Sequence, residues 1–176
     1  MKSKKNLILI GMMGSGKSTI GSLISKKLNT KFIDIDSVLE NNSKMKISEI
    51  FKKKGENFFR KLEEKITLKL LNSINNVISL GGGSFINEKI RKKVLKNNFS
   101  FWLNCDTPTL LSRIKNSKKR PIAFNLSDSE LTELIAKRTK VYAKAQFKIN
   151  CHKLKKTEIV KKILKIYGHN QTTNKY

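Results

Sequence analysis

The sequence predicts an α/β fold in which a five-stranded parallel sheet lies between two layers of helices, a three-layer α/β/α arrangement. Short apolar segments alternate along the chain with stretches whose apolar residues recur every three or four positions, as in strands joined by helical crossovers. Most of the short segments are apolar on both faces, which parallel strands covered by helices require. At 176 residues, the chain has the usual length of one domain.

Five segments are predicted to be strands because they are short, apolar and rich in β-branched or aromatic residues: 7–10, 32–35, 77–80, 99–103 and 147–149. Helical spacing is clearest in two stripes between them, which are Ile20, Leu23, Ile24 and Leu28, and then Phe59, Leu62, Ile66, Leu70 and Ile74. Two more helices are indicated by their start signals, Asp106-Thr107-Pro108 and the capping-box pair Ser127 and Glu130.

One polar segment, residues 116–126, joins two predicted helices and lacks apolar periodicity. Such a segment suits a mobile surface lid better than a core element. We expect a single domain over residues 1–167 and a disordered tail at 168–176.

The formal net charge is +25, from 38 Lys and Arg residues against 13 Asp and Glu residues, and it is compatible with a polyanionic partner. The basic residues are scattered over almost every predicted helix, however, and are not interleaved with aromatic residues as in a nucleic-acid-binding stripe. We therefore expect no nucleic-acid partner and attribute the charge to compositional bias. The charge would still attract ATP and an anionic substrate.

The apolar segments are too short for a membrane span, and the first glycine loop begins at Gly11, which leaves no room for a signal or transit peptide. We expect a cytoplasmic protein without a membrane partner. The two cysteines, Cys105 and Cys151, lie 46 positions apart and match neither a Cys-x-x-Cys motif nor a zinc-ligand pattern. Their spacing supports neither a disulfide nor a zinc site.

The most specific motif is the run from Gly11 to Ser18, which fits G-x-x-x-x-G-K-[ST] and lies between a predicted strand and an amphipathic helix. Backbone N–H groups of such a loop, and the positive end of the following helix, bind phosphate. Lys17 can reach the β- and γ-phosphates, and the Ser18 hydroxyl is placed to ligate Mg²⁺. Further nucleotide contacts are predicted at Gly14, Ser15, Gly16 and Thr19.

Two more candidate sites follow predicted strands. Asp34 and Asp36 end the second strand, where the two-residue period would place both carboxylates on one face. One of the two carboxylates can assist Mg²⁺ and the other can orient the hydroxyl group that is phosphorylated. Capping of the following helix is an alternative role for this pair. The glycine triplet Gly81-Gly82-Gly83 follows the third strand. It either lets the backbone approach a ligand closely or forms an ordinary turn. The short chain, without the guanine-selecting N-K-x-D sequence, favours a small-molecule kinase.

These motifs together resemble the shikimate kinase family, whose pattern also includes Gly55-Glu56-x-x-Phe59-Arg60 with Glu63, Arg120-Pro121, and Arg138-x-x-x-Tyr142. Order and spacing match over residues 5–167. The resemblance implies a nucleoside monophosphate kinase-like fold with a P-loop and a mobile lid. It also implies a monomer that uses ATP and one Mg²⁺ ion to phosphorylate the 3-hydroxyl of shikimate, in the pathway to chorismate and the aromatic amino acids.

The resemblance assigns substrate roles to particular residues. Asp36 would hold shikimate hydroxyls and serve as the candidate base, while Asp34 would lie nearer the metal with Ser18. Arg60 and Arg138 would bind the substrate carboxylate, a role that suits the fork of the guanidinium group. Gly82 would offer its backbone to the substrate, and Glu63 would support Arg60.

The resemblance also places groups around ATP. Lys17 and the lid residue Arg120 would act on the transferred phosphoryl group, and Arg113 would lie near adenine. Residues 150–156 would form the adenine loop, but their sequence matches no sharp family pattern. Three alternatives stay open: a gluconate or nucleoside monophosphate kinase, a nucleic-acid-binding or chaperone-like ATPase, and a pseudo-kinase. The first lacks this motif set, and the intact Lys17, Ser18, Asp34 and Asp36 disfavour the last.

Overall fold

The computed structural model describes residues 5–116 and 126–173. In this part of the chain, five strands form one parallel sheet in the order β2-β3-β1-β4-β5. The strands are β1 (Leu7–Ile10), β2 (Lys31–Asp34), β3 (Asn76–Ser79), β4 (Phe99–Asn104) and β5 (Phe147–Asn150). The predicted fold class is confirmed, and all five predicted strands are present.

The described residues contain seven α-helices and one short 3₁₀ turn. They are α1 (Lys17–Leu28), α2 (Ile35–Ser43), α3 (Ile47–Leu70), the 3₁₀ turn (Ser84–Ile86), α4 (Glu88–Asn97), α5 (Thr107–Lys115), α6 (Asp128–Tyr142) and α7 (Lys156–Thr173). Both predicted start signals are confirmed. The Asp106 side chain accepts a hydrogen bond from the Thr109 backbone N–H, and Ser127 and Glu130 form a reciprocal capping box. Among the described residues, none of these helices combines the length and apolar character needed to cross a membrane.

Strand β1 shows why the sheet needs helices on both faces, since all four of its residues are buried. Ile8 and Ile10 belong to the core on one face, to which α2 through α6 contribute. Leu7 and Leu9 belong to the core on the other face, which α1 and α7 cover. Because successive side chains of a strand point to opposite faces, a continuous apolar run fits only a strand buried on both sides.

The predicted end of the second strand is wrong. Ile35 begins α2, and Asp34 caps that helix by accepting a hydrogen bond from the Asp36 backbone N–H at 3.1 Å. The two-residue alternation expected for Asp34 and Asp36 therefore does not apply. Helix capping, the alternative role for this pair, is what Asp34 does.

Two other predicted boundaries differ from the structure, and one predicted segment lies largely outside the described residues. Helix α3 ends at Leu70, so Ile74 lies after the helix and not within it as predicted. The Ile74 side chain is 57% exposed. Helix α7 continues through Thr173, so the predicted start of disorder at residue 168 is wrong. The Gln171 side chain ties this helix to the start of β1 by donating to the Lys5 carbonyl at 3.2 Å. The predicted lid falls mainly on residues 117–125, outside the described residues.

Candidate active site

The carboxyl ends of three neighbouring strands bring the predicted motifs to one edge of the sheet. The phosphate loop follows β1, the pair Asp34 and Asp36 follows β2, and the glycine triplet follows β3, which lies between the other two strands. In open α/β sheets, this edge is where ligands bind. The parallel pairing thus places residues from distant parts of the sequence side by side.

The phosphate loop has the backbone shape that its glycines predict. Gly14 and Gly16 adopt φ values of 82° and 88°, a left-handed region that side chains disfavour, and Gly16 immediately precedes α1. The Lys17 ammonium group folds back over the loop and donates to the carbonyls of Gly11 at 2.9 Å and Met12 at 3.1 Å. A cation and the N-terminal end of a helix therefore face the same space, which favours an anion such as phosphate.

The Ser18 hydroxyl and the Asp34 carboxylate are in direct contact, with Oγ donating to Oδ2 at 2.5 Å. Both are hard oxygen ligands of the kind that Mg²⁺ prefers. In the described ranges, no group of three or more His, Cys, Asp or Glu residues is arranged to hold a metal ion. Mg²⁺ at nucleotide sites commonly keeps several waters and uses one or two protein oxygens with the phosphates, so the Ser18 and Asp34 pair fits this ion. Thr19 follows Ser18 in the chain and is exposed in the first turn of α1.

The glycine triplet is packed against the three charged residues predicted to bind substrate. A β-carbon built on Gly81 would lie 2.7 Å from Asp36 Oδ1, and one on Gly83 would lie 2.5 Å from Arg60 Nη1. A β-carbon on Gly82 would lie 3.5 Å from Arg138 Nη1. Side chains at the first and third positions would therefore collide with the site. The structure brings Asp36, Arg60, Gly82 and Arg138 together around this backbone.

Arg60 is held by two carboxylates on its own helix. Its Nη1 donates to Glu63 Oε2 at 2.8 Å and its Nη2 to Glu56 Oε1 at 3.1 Å. Glu63 is only 3% exposed, and its other oxygen accepts from the Ser84 hydroxyl at 2.6 Å. Burial opposes the charge of Arg60, but Glu63 and Glu56 outweigh burial and raise the pKa of the guanidinium above its ordinary value. The Ser84 contact was not predicted, although Ser84 directly follows the triplet.

Arg138 and Tyr142 approach the site from α6, one helical turn apart. Arg138 Nη1 lies 3.8 Å from the Met12 sulfur, at the phosphate loop. The Tyr142 hydroxyl donates to the Gly82 carbonyl, and burial raises the pKa of this tyrosine to about 12, which keeps its proton in place. This contact was also missed. The available signal was the spacing of four residues, which puts Tyr142 on the same helix face as Arg138.

Of the two arginines predicted to contact ATP, Arg113 lies in the described part of the chain and Arg120 does not. Arg113, on α5, donates through Nη1 to the Gly14 carbonyl at 3.1 Å and so lies beside the phosphate loop. Arg120 lies outside the described residues, and its predicted action from the lid stays a prediction. The segment between β5 and α7, predicted to face adenine, follows a strand adjacent to β4 at the same sheet edge.

Comparison with known proteins gives concordant results. The profile of the family described as shikimate kinase matches residues 13–167. A shikimate kinase from Sulfurihydrogenibium sp. is 40% identical over 160 residues, which are 91% of this chain and 96% of that protein. The solved shikimate kinase from Acinetobacter baumannii in complex with shikimate superposes with a TM-score of 0.89 at 26% identity, covering 95% of this chain and 94% of the other.

The fold is shared beyond these relatives. A gluconokinase from Sinorhizobium meliloti superposes with a TM-score of 0.62 at 14% identity, and each chain is covered fully. At that identity the likeness concerns the fold alone. The motif residues around the glycine triplet therefore carry more information about the acceptor than the overall fold does.

Proposed function

The chain belongs to the shikimate kinase family, and we infer that it transfers the γ-phosphoryl group of ATP to the 3-hydroxyl of shikimate, giving shikimate 3-phosphate and ADP. This reaction belongs to the pathway to chorismate and the aromatic amino acids. The observation that carries the inference is the meeting of a P-loop with one carboxylate and two arginines around the triplet at 81–83. A donor site and an acceptor site thereby share one sheet edge.

Arg60 and Arg138 would bind the carboxylate of the acceptor. A guanidinium group presents paired N–H donors that match a carboxylate, and two of them would select an acid over a neutral polyol. The contacts of Glu63 and Glu56 hold the Arg60 side chain, so that less side-chain entropy is lost on binding. Gly82 would add a backbone contact, with its carbonyl held by Tyr142.

Asp36 would orient the 3-hydroxyl and accept its proton. Its carboxylate lies against Gly81, at the acceptor side of the site, while Asp34 is turned toward Ser18. The two neighbouring carboxylates thus have different surroundings and different proposed roles. Positioning of the hydroxyl in line with the γ-phosphate is the main demand of phosphoryl transfer.

The P-loop would hold the phosphates of ATP through Gly14, Ser15 and Gly16, with Thr19 at the start of α1. Lys17 would neutralise charge on the β- and γ-phosphates, and Arg120 would do so from the lid. Arg113 would lie beside the nucleotide. We propose that Ser18 and Asp34 hold one Mg²⁺ ion, which when bound neutralises phosphate charge and orients the phosphates.

We further propose that the protein works as a cytoplasmic monomer without a nucleic-acid or membrane partner. The monomer and the location follow from the family resemblance, and the scattering of the basic residues over the chain supports the absence of a nucleic-acid partner. Light scattering at micromolar concentration should give the mass of one chain. A dimer would contradict the proposed state while leaving the proposed reaction intact.

A coupled assay of ADP release tests the reaction. ATP and Mg²⁺ are supplied with shikimate, with gluconate, with AMP or with no acceptor. We expect ADP only in the shikimate reaction. ADP formed equally without an acceptor would favour an ATPase, ADP formed with gluconate or AMP would favour the related kinases, and none under any condition would favour a pseudo-kinase.

A further inference from the structure

Strands β4 and β5 pair residues that are 46 positions apart, from Phe101 with Phe147 to Asn104 with Asn150. The pairing continues past the strand ends. The Cys151 backbone N–H donates to the Asn104 carbonyl at 2.8 Å. Asp106 Oδ2 and His152 Nδ1, also 46 positions apart, lie 3.0 Å from each other. The same register therefore pairs residue 104 with 150 and residue 106 with 152. Residue 105 should then lie opposite residue 151.

These two positions hold Cys105 and Cys151, which the register places opposite each other. Cys105 is 8% exposed and Cys151 is half-buried, and both are free. Aligned residues on neighbouring strands have Cα atoms about 5 Å apart, and disulfides require roughly 4.4–6.8 Å. The register of this pair is thus compatible with the spacing that a disulfide needs, although the sequence spacing gave no support for one.

The thiols also lie next to the phosphate loop. Cys105 Sγ is 3.7 Å from the Ser15 carbonyl, to which it donates, and Cys151 Sγ is 3.3 Å from the Ile149 carbonyl. The neighbouring Cys151 thiol lowers the pKa of Cys105, burial and the charge of Asp106 oppose this, and the charges of Arg113 and Lys17 lower the pKa further. The lowered pKa increases the fraction of Cys105 that is thiolate, which is the reactive form, while the protonated fraction donates to the Ser15 carbonyl.

We propose that Cys105 and Cys151 form a site of reversible oxidation by hydroperoxides, which closes an intrachain disulfide between the nucleotide-side ends of β4 and β5. The Cys105 thiolate attacks one peroxide oxygen, the O–O bond breaks, and hydroxide leaves. The Cys151 sulfur then attacks the resulting sulfenic acid, and the second oxygen leaves as water. Overall, two thiols lose two electrons and two protons to hydrogen peroxide, which becomes two waters.

Closing this bond weakens nucleotide binding. Oxidation removes the thiol proton that Cys105 donates to the Ser15 carbonyl and joins the chain before α5 to the segment before α7. This consequence rests on the proposed binding of ATP at the phosphate loop. Loss of one such hydrogen bond predicts a rise in KM for ATP of about 2- to 10-fold, reversed by a thiol reductant.

The test uses the full chain and the variants Cys105→Ser and Cys151→Ser, each treated with hydrogen peroxide and compared with its own reduced form. We expect the unmodified chain to lose both titratable thiols, to fall in mass by two hydrogen atoms and to yield one peptide pair linked through Cys105 and Cys151. Neither variant should form this link, and neither should show a reductant-reversible change in KM for ATP.

Three results would overturn the proposal: both thiols still titratable after treatment, a bond formed only between two chains, or stable oxygen adducts without the linked pair. A linked pair with an unchanged KM for ATP would overturn the proposed effect on nucleotide binding. The thiol and mass readouts do not depend on turnover. Failure of the proposed kinase reaction would instead appear as no ADP release by the fully reduced chain.

Discussion

Asp36 is the residue whose charge the proposed transfer needs most, because it receives the proton of the acceptor hydroxyl. The Asp36→Asn substitution keeps the shape of the side chain and removes its basicity. We expect the rate of ADP release with shikimate to fall by about 10²- to 10⁴-fold. Binding of ATP, measured by calorimetry, should be retained because Asp36 lies on the acceptor side of the site.

Asp128→Asn is the matched control for this prediction. Asp128 is an exposed carboxylate in the first turn of α6, paired with Lys115 at 2.8 Å. Its removal should change turnover little, since exposed ion pairs contribute little free energy. Near-normal turnover of the Asp36 variant would refute the role assigned to Asp36.

Tyr142 acts through the Gly82 backbone, so we treat it as a positioning residue. Tyr142→Phe keeps the buried ring and removes only the hydroxyl that donates to the Gly82 carbonyl. We expect KM for shikimate to rise by about 2- to 10-fold, the loss of one hydrogen bond, while KM for ATP stays close to its original value. Steady-state kinetics with each substrate varied in turn would measure both constants.

Tyr167→Phe provides a control of the same chemistry at a distance from the site. The Tyr167 hydroxyl donates to the Lys5 carbonyl at 2.6 Å, and the ring packs in the core beneath α7. Both variants should lose a comparable amount of stability in urea unfolding. Only the Tyr142 variant should change KM for shikimate; an equal change in both would mean that stability, and not positioning, is responsible.

At this scale, motif reasoning predicted the charged residues around the triplet better than the contacts that hold them. Arg60 and Arg138 could be predicted because their neighbours in the sequence form a pattern. The contacts of Ser84 with Glu63 and of Tyr142 with Gly82 could not be predicted from local sequence. Each joins residues on different elements, 21 and 60 positions apart, which only packing brings together.

Helix α1 packs so closely on the sheet that it leaves no room for a methyl group at Gly21. A β-carbon there would lie 2.3 Å from Phe32 Cε2 and 3.1 Å from Leu9 Cδ1. Although alanine is the better helix former, we expect Gly21→Ala to lower the free energy of unfolding by about 1–3 kcal/mol because the helix must shift. Urea unfolding followed by circular dichroism would measure this.

Gly168→Ala, in α7, separates packing from helix propensity. Gly168 is also within a helix, and a β-carbon there would meet no atom within 4 Å. The substitution should stabilise the protein by up to about 0.5–1 kcal/mol, because alanine loses less backbone entropy on folding. If the two alanine variants were equally stable, the close contact of α1 with β2 would be refuted.

Element boundaries show where a local pattern fails. Ile35 is β-branched and lies two positions after Ile33, and this alternation of β-branched residues is typical of a strand. The Asp34 side chain instead caps helix α2. The strand therefore ends at Asp34, one residue earlier than predicted, and the helix begins at Ile35. The helix cap at Asp34 and the strand propensity of Ile35 affect only one residue. The existence of the strand was therefore predicted correctly, whereas its end was not.

The net charge of +25 is the property of the whole molecule that most invites another function. We expect double-stranded DNA to leave ADP release unchanged, both with shikimate and without an acceptor. Any retention on a DNA column at 50 mM salt should be lost by about 200 mM, as for unspecific phosphate contacts. Hydrolysis stimulated by DNA would contradict the assignment of the charge to compositional bias.

The sequence by itself determined the α/β class, the five strands, the phosphate loop and the family, because these depend on periodicity and on motifs whose residues are close along the chain. Only the tertiary structure decided which distant residues meet. The register of β4 with β5 places Cys105 against Cys151, and the packing of α6 places Tyr142 on Gly82. Strand register and helix packing are set by the whole core, so no local pattern contains them.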